Sequence, residues 1–227
     1  MNAAVVAIDG PSGAGKGTIS RALAGRLGWH LLDSGALYRL VAYAGVQQGL
    51  AATDRAGHAR LAQELDSQFG ARADGSELIL LAGIDVTQGI RSEASGMGAS
   101  RVAAWPEIRA ALLARQRAFA RPPGLVADGR DMGTVVFPEA SLKIFLVATP
   151  DERALRRYNQ LKGKDSGVSL AALSREIAAR DRQDATRQVA PLVPAGDAVA
   201  IDSTGLSIAE VVERVWRLGG ERGLWQK

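Results

Sequence analysis

A chain of 227 residues, 47% of them hydrophobic, can bury a sizeable core as one domain with insertions. It has no cysteine, which excludes disulfides, a thiol nucleophile and cysteine-ligated zinc, and its two histidines, His30 and His58, are too few for a histidine metal site and read as structural. The net charge of +4 leaves open a nucleic acid or a small polyanion held by several arginines, but the scattered aromatics do not interleave with basic residues as in an RNA-binding sheet, so the small phosphate ligand is favoured.

In chain order, "VVAID" (5–9) is a short apolar run ending in an acid, followed by glycines and the helical pattern "TISRALAGRLG", which stops at Gly28. "HLLD" (30–33) reads as a second strand and "SGALYRLVAYAGVQQG" as a helix with Ser34 near its N-cap. Residues 51–66 read as helical. The stretch "DSQFGARADGSELILLAGIDVTQGIRS" then alternates turn signals with short apolar runs and reads as a small antiparallel sheet. Helical periodicity returns over 101–121, and "GLVADGRDMG" (124–133) and "LKIFLVA" (142–148) read as buried strands. The segment 150–187 is helical at both ends, with a Gly/Lys/Asp loop at 163–167. "AVAIDS" supplies a last strand, and "LSIAEVVERVWRLGG" a closing amphipathic helix.

Strands alternating with helices imply an α/β fold, a parallel sheet covered on both faces, whose ligands bind beyond the carboxyl ends of the strands. Residues 10–18, 33–34, 128–131 and 149 all fall at such ends. No apolar run approaches the ~18 residues of a membrane span, and "MNAAVVAIDG" lacks the basic start and long apolar stretch of a signal peptide. The expectation is a cytoplasmic protein with neither membrane nor nucleic-acid partner.

Within "IDGPSGAGKGT" (8–18), Gly10, Gly15 and Lys16 fit the phosphate-loop pattern G-x-x-x-x-G-K-[ST], in strand–loop–helix context. Glycines let backbone N–H groups turn towards phosphate, and the following helix adds its positive end. Gly17, however, stands where the Mg²⁺-binding hydroxyl belongs, and Thr18 follows one residue late. No Asn-Lys-x-Asp guanine reader is present. "LVAD" (125–128) could supply the acid of an ATPase, but "GRD" follows it.

"GKGT" is the form found in nucleoside monophosphate kinases. Together with "LLDSGALYR", "SRVAAWPEIRAALLARQRAF", "ADGRDMGTVVFP", "EIAARDRQDATRQVAPLVPA" and "AIDSTGLSI", it makes the chain resemble the bacterial cytidylate kinase family from near residue 4 to about residue 215. "DGRDMGTVVFP" with "RDRQDATR" is the selective part. The antiparallel insertion near 66–90 suits this family better than adenylate kinases, whose insertion is mainly helical.

The resemblance implies phosphoryl transfer from ATP to CMP or dCMP with Mg²⁺, by a monomer, as part of pyrimidine nucleotide metabolism. It implies a P-loop kinase core (1–33, 103–150 and 186–227), an NMP-binding insertion (34–102) and a helical lid (151–185). ATP is expected on Gly10, Pro11, Ser12, Gly13, Ala14, Gly15, Lys16, Gly17 and Thr18, with Arg157 from the lid. Lys16, Asp128 and Arg130 are the expected catalytic group. Mg²⁺ is expected near Thr18, indirectly, and near Asp128, through water; Gly17 weakens direct hydroxyl ligation. For CMP, the family positions fall on Ser34, Arg39, Ser100, Arg109, Arg130, Asp131, Arg180, Asp184 and Arg187. Asp131 with Arg109 and Ser100 is the expected cytosine reader, and Asp184 with Arg180 is expected to face the sugar.

Plainer readings stand beside these. Arg130 and Asp131 could be a salt bridge capping a turn, Arg109 a solvated helix charge, Ser34 only a cap. The cluster Arg153, Arg156, Arg157, Lys162 and Lys164 could be an exposed helix face or a lid closing on ATP, with Gly163 and Gly167 permitting the movement. If 174–187 is one helix, Arg180, Asp184 and Arg187 share a face, either a solvated ladder or a wall of the site. Rival functions are a P-loop kinase for UMP, AMP or a small metabolite, and an ATP-gated nucleic-acid-binding protein.

Overall fold

The computed structural model describes residues 3–74, 76–162 and 169–226. The chain divides into two compact units, one made of residues 1–33 and 116–227 and the other of residues 34–115.

The first unit is built on a five-stranded parallel sheet in the order β2-β6-β1-β7-β8. Its strands are β1 (Ala4–Asp9), β2 (His30–Asp33), β6 (Gly124–Gly129), β7 (Leu142–Val147) and β8 (Val199–Asp202). All six residues of β6 are buried, as a strand covered on both faces requires. Val6, Ile8, Val126, Ile144 and Leu146 form the core with Ile19 and Leu23 of α1 (Lys16–Leu27) and Val211 and Val215 of α9 (Ile208–Glu221). Gly28 ends α1 in the left-handed conformation, and a capping box of Ser207 and Glu210 starts α9. Register places Asp9 beside Gly129, and Asp33 and Ile8 on either side of Asp128, so three acids gather at the carboxyl ends of adjacent strands.

After α9 the chain doubles back, and Trp225 packs edge-on to Trp29, with ring centroids 5.8 Å apart, and beside Trp216 at 5.4 Å. Its indole Nε1 donates to the Trp216 carbonyl at 3.0 Å. Trp225→Ala is expected to lower stability by about 2 kcal/mol, since the ring is only half-buried. Denaturant unfolding should show that loss with unchanged kinetic constants; changed constants would contradict a purely structural role.

The second unit contains α2 (Ser34–Gln47), α3 (Arg55–Gln63), an antiparallel sheet of β3 (Ser67–Ala71), β4 (Glu77–Leu81) and β5 (Ile84–Asp85), then α4 (Thr87–Ile90), α5 (Glu93–Val102) and most of α6 (Pro106–Arg117). The helix expected over 51–66 is shorter, because Asp54 caps α3 by accepting from Gly57 N. The single periodic stretch over 101–121 is the end of one helix and the whole of another. Pro106, which lacks an N–H, opens α6 after a break at 103–105.

Three further elements belong to the first unit: a π-helical turn at Met132–Val136, α7 (Pro150–Leu161) and α8 (Leu170–Thr186). The π-turn was not anticipated; Val136 and Phe137 donate to carbonyls five residues back. Arg187 sits just past α8 with extended ψ, so the expected helix over 174–187 ends one residue early. The 163–167 loop, with Gly163, Lys164 and Gly167, lies outside the described residues. Among the described residues no helix is long and apolar enough to cross a membrane.

Candidate active site

The segment between β1 and α1 turns sharply because residue 10 has no side chain. Gly10 has φ +149°, and a Cβ there would collide with the Leu146 carbonyl oxygen of the neighbouring strand. Gly13 (φ +78°) and Gly15 (φ +96°) are left-handed, and alternate left-handed residues of this kind turn successive N–H groups into an anion-binding hollow. Lys16, the first residue of α1, is 6% exposed and donates from Nζ to the Pro11 carbonyl at 2.9 Å. Thr18 is exposed in the first turn of the helix.

Gly17 explains its own departure from the general loop pattern. A Cβ at this position would stand 3.2 Å from Asp128 Oδ2, so the place where a loop hydroxyl would project faces the Asp128 carboxylate. Asp128 is 9% exposed. Among the described residues no group of three or more His, Cys, Asp or Glu is arranged to hold a metal ion. The donors that are present, the Asp128 carboxylate and the Thr18 hydroxyl, are hard oxygen ligands of the kind that suits Mg²⁺ bound through a carboxylate, water and substrate phosphates.

Arg130, Asp128, Asp184 and Asp9 all act electrostatically on Lys16. Burial, and after it the Arg130 guanidinium, push the Lys16 ammonium well below the ordinary lysine value, although Asp128, Asp184 and Asp9 oppose the shift. Burial pushes the Asp128 carboxyl up, against the opposing pull of Lys16. Both groups are short of compensating charge, so a polyphosphate would favour protonated Lys16, and a cation would favour ionised Asp128.

The other pair is satisfied. Arg130 Nε donates to Asp184 Oδ2 at 2.8 Å, and Arg187 Nη2 stands 4.0 Å from Asp184 Oδ1. Burial alone would raise Asp184, but the charge of Arg130 and its hydrogen bond, with Arg187 and Arg180, hold the carboxyl below its ordinary value. At 3% and 9% exposure, Asp184 and Arg187 are no solvated ladder. Asp184 pairs directly with Arg130, a partner on another element.

Asp9, missed as a site residue, organises this corner. Its carboxylate accepts from Met132 N and Gly133 N at 2.8 Å each, which pins the turn carrying Arg130 and Asp131 to the end of β1. Burial raises its carboxyl to about 6 despite those hydrogen bonds. An ordinary unfolded aspartate ionises near 3.8, so between about pH 4 and pH 6 the folded protein binds the extra proton. Asp9 therefore makes ligand-free stability fall as pH rises through that window, by about 3 kcal/mol in all. Unfolding titrations at pH 4.5 and 6.5 should show a steeper fall in the wild type than in Asp9→Asn; parallel slopes would contradict the assignment.

The arginines of α7 divide unexpectedly. Arg157 bonds within its own helix, Nη1 donating to Gln160 Oε1 at 3.3 Å. Arg153 Nη1 reaches the Ser12 carbonyl at 3.0 Å and Arg156 Nη1 reaches that of Ala14 at 3.4 Å. An exposed helix face is thereby ruled out for Arg153, which is 3% exposed.

In the second unit, Ser34 is the first residue of α2 and is buried, as is Ser100 of α5. Arg39 Nη1 donates to the Ile90 carbonyl at 2.7 Å and to that of Ser92 at 3.1 Å, at the α4–α5 junction. Arg109 is no solvated charge: it is 9% exposed, lies over the Tyr38 ring at 5.8 Å and donates to the Ala103 carbonyl at 3.3 Å.

A profile of the family described as "Cytidylate kinase" matches residues 6–219. The chain is 57% identical over 221 residues to a cytidylate kinase from Stutzerimonas stutzeri (strain A1501), covering 97% of this chain and 96% of the relative. It is 60% identical over 216 residues to one from Pseudomonas fluorescens (strain SBW25), covering 95% and 94%. A third, from Pseudomonas aeruginosa (strain LESB58), is 60% identical over 221 residues, covering 96% of each chain.

Proposed function

The chain belongs to the cytidylate kinase family, and we propose that it moves the terminal phosphoryl group of ATP to CMP and dCMP, giving ADP with CDP or dCDP. The observation that carries this reading is the juxtaposition of the phosphate loop with Lys16, Asp128 and the Arg130–Asp184 pair at the carboxyl ends of β1 and β6.

The nucleophile is a phosphate oxygen of the acceptor, already ionised near neutral pH, so no side chain need remove a proton. What the reaction asks of the protein is alignment of the two phosphates and neutralisation of the charge between them. Lys16 turns from the Pro11 carbonyl to the donor phosphates, and the loop amides of residues 13–18 bind their oxygens. Arg130, held on its Nε side by Asp184, offers its guanidinium to the phosphoryl group in transit. Mg²⁺, placed at Asp128 through water with Thr18 nearby, would draw charge from the phosphate oxygens.

We assign the acceptor contacts to Ser34, Arg39, Ser100, Arg109, Arg130, Asp131, Arg180, Asp184 and Arg187. Arginine suits phosphate because its fork binds two oxygens at once. Arg187 is given to phosphate and base, Asp131 with Arg109 and Ser100 to cytosine, and Asp184 and Arg180 to the ribose. Segment 34–102 serves as the acceptor-binding insertion, and segment 151–185 as a lid, with Arg157 reaching ATP and closure excluding water as a competing acceptor. Action as a monomer in the cytoplasm, within pyrimidine nucleotide metabolism and without membrane or nucleic-acid partners, completes the proposal.

The reading is tested by coupled ADP-release assays across the ribo- and deoxyribonucleoside monophosphates. CMP and dCMP should give the highest kcat/KM. Preference for AMP or UMP, or ADP release needing no acceptor, would contradict it.

A further inference from the structure

We propose that Arg153 and Arg156 are positioning residues for ATP, holding the outer carbonyls of the phosphate loop so that the Gly13 and Gly15 amides face the phosphates. The inference rests on the reading that this loop binds ATP. It assigns to two arginines of α7 a task on the far side of the loop from the ligand.

The local sequence brings them there. Thr149 caps α7, its side chain accepting from Glu152 N, and the helix opens directly after β7. The first turn of α7 thus places Arg153 and, one turn on, Arg156 against the loop that follows the adjacent β1. Arg153 Nε donates to the Ala148 carbonyl at 3.1 Å, Nη1 to the Ser12 carbonyl at 3.0 Å, and Nη1 and Nη2 grip Asp181 of α8 at 3.0 and 2.6 Å. Arg156 Nε is held by Glu152 at 2.7 Å, Nη2 donates to the Ser203 carbonyl at 2.6 Å, and Nη1 reaches the Ser203 hydroxyl at 3.1 Å and the Ala14 carbonyl at 3.4 Å. Ser203 Oγ, to which Arg156 donates, itself donates to the Ala14 carbonyl at 3.1 Å, so Arg156 holds this carbonyl both directly and through Ser203.

The carbonyls taken are those of residues 12 and 14, alternate peptides of one loop. In a planar trans peptide the C=O points opposite to the N–H of the next residue. A guanidinium on the Ser12 oxygen therefore fixes the direction of the Gly13 N–H, and one on the Ala14 oxygen fixes that of Gly15. These are the two left-handed residues of the loop, at φ +78° and +96°, where a peptide without a Cβ could otherwise flip and present its oxygen to an incoming phosphate. A cation on the oxygen also polarises the peptide and strengthens its N–H as a donor. Burying guanidinium against backbone is expensive where an apolar side chain would fill the space. The bidentate grip of Asp181 offsets that expense at Arg153 and makes α8 part of the support.

The test is amide NMR of ¹⁵N-labelled protein with saturating ADP, alongside ATP affinity and KM for CMP. In the wild type, the Gly13 and Gly15 amide protons should both move downfield on ADP binding. In Arg153→Met most of the Gly13 shift should be lost and the Gly15 shift kept; Arg156→Met should show the reverse. In each variant Kd for ATP should rise about tenfold while KM for CMP stays within about twofold. Arg153→Lys, which keeps the charge but loses the fork, should show the Gly13 effect at reduced size and carries the test if the Met variant does not fold. Equal loss of both shifts in every variant, or full retention of both, overturns the inference. If the wild-type amides ignore ADP, the ATP-binding reading falls, and this inference with it.

Discussion

Lys16→Met is expected to reduce kcat for CMP phosphorylation by roughly 10³-fold, the scale of removing a principal charge-stabilising donor from a water-excluded transition state. The variant should nonetheless be as stable as the parent or more so. Lys16 is buried, and burial with the neighbouring Arg130 disfavours its charge in the ligand-free protein, so an apolar chain of similar length relieves a cost. The sign follows from linkage. A lysine lowered in the folded state leaves that state with fewer bound protons than the unfolded chain between the two values. Its contribution is therefore unfavourable below the folded value and is relieved as pH rises towards the unfolded one. The measurement is kcat beside a denaturation curve at neutral pH. A folded Lys16→Met retaining most of its kcat would remove Lys16 from the chemistry.

Asp184→Ala should give the second largest effect, on stability and specificity together. The carboxylate is buried and accepts from Arg130 Nε at 2.8 Å, so truncation strands a half-buried guanidinium without its anion. Breaking a buried pair in this way costs about 3 kcal/mol, which in a chain of this size lowers Tm by roughly 6–12 °C. Because Asp184 also orients Arg130, kcat/KM for CMP should fall about 10- to 150-fold, the equivalent of one charge-assisted hydrogen bond. The fall should be smaller for dCMP, which lacks the 2′-hydroxyl assigned to this part of the site. A stable variant with an unchanged CMP-to-dCMP ratio would contradict both roles.

What was readable in the chain was whatever depends on near neighbours. "VVAID" and "LVADG" announce buried parallel strands, glycines and Lys16 announce an anion-binding turn, and the acid–arginine motifs announce a phosphate chemistry. The features that escaped depend on partners far along the chain. Asp9 looked like the end of a strand, yet it accepts hydrogen bonds from Met132 and Gly133, with separations of 123 and 124 residues. The π-turn at Met132–Val136 begins at the two amides that Asp9 holds, a contact its own apolar sequence does not announce. Gly17 read as a defect in the loop until β1–β6 register brought Asp128 against it. The arginines of α7 were visible as a basic cluster, but only the fold shows that Arg153 and Arg156 turn inward to loop carbonyls while Arg157 bonds along its own helix. Pro106 is a helix start legible in the chain, and it breaks the 101–121 periodicity into two helices.

Phosphorus balance separates phosphoryl transfer to CMP from simple hydrolysis of ATP. ³¹P NMR of the protein with Mg²⁺, ATP and excess CMP resolves every phosphate as the reaction proceeds. CDP and ADP should rise together, one for one, with no inorganic phosphate, and Lys16→Met should stop both. Conversion of ATP to ADP and inorganic phosphate with CMP intact would contradict it.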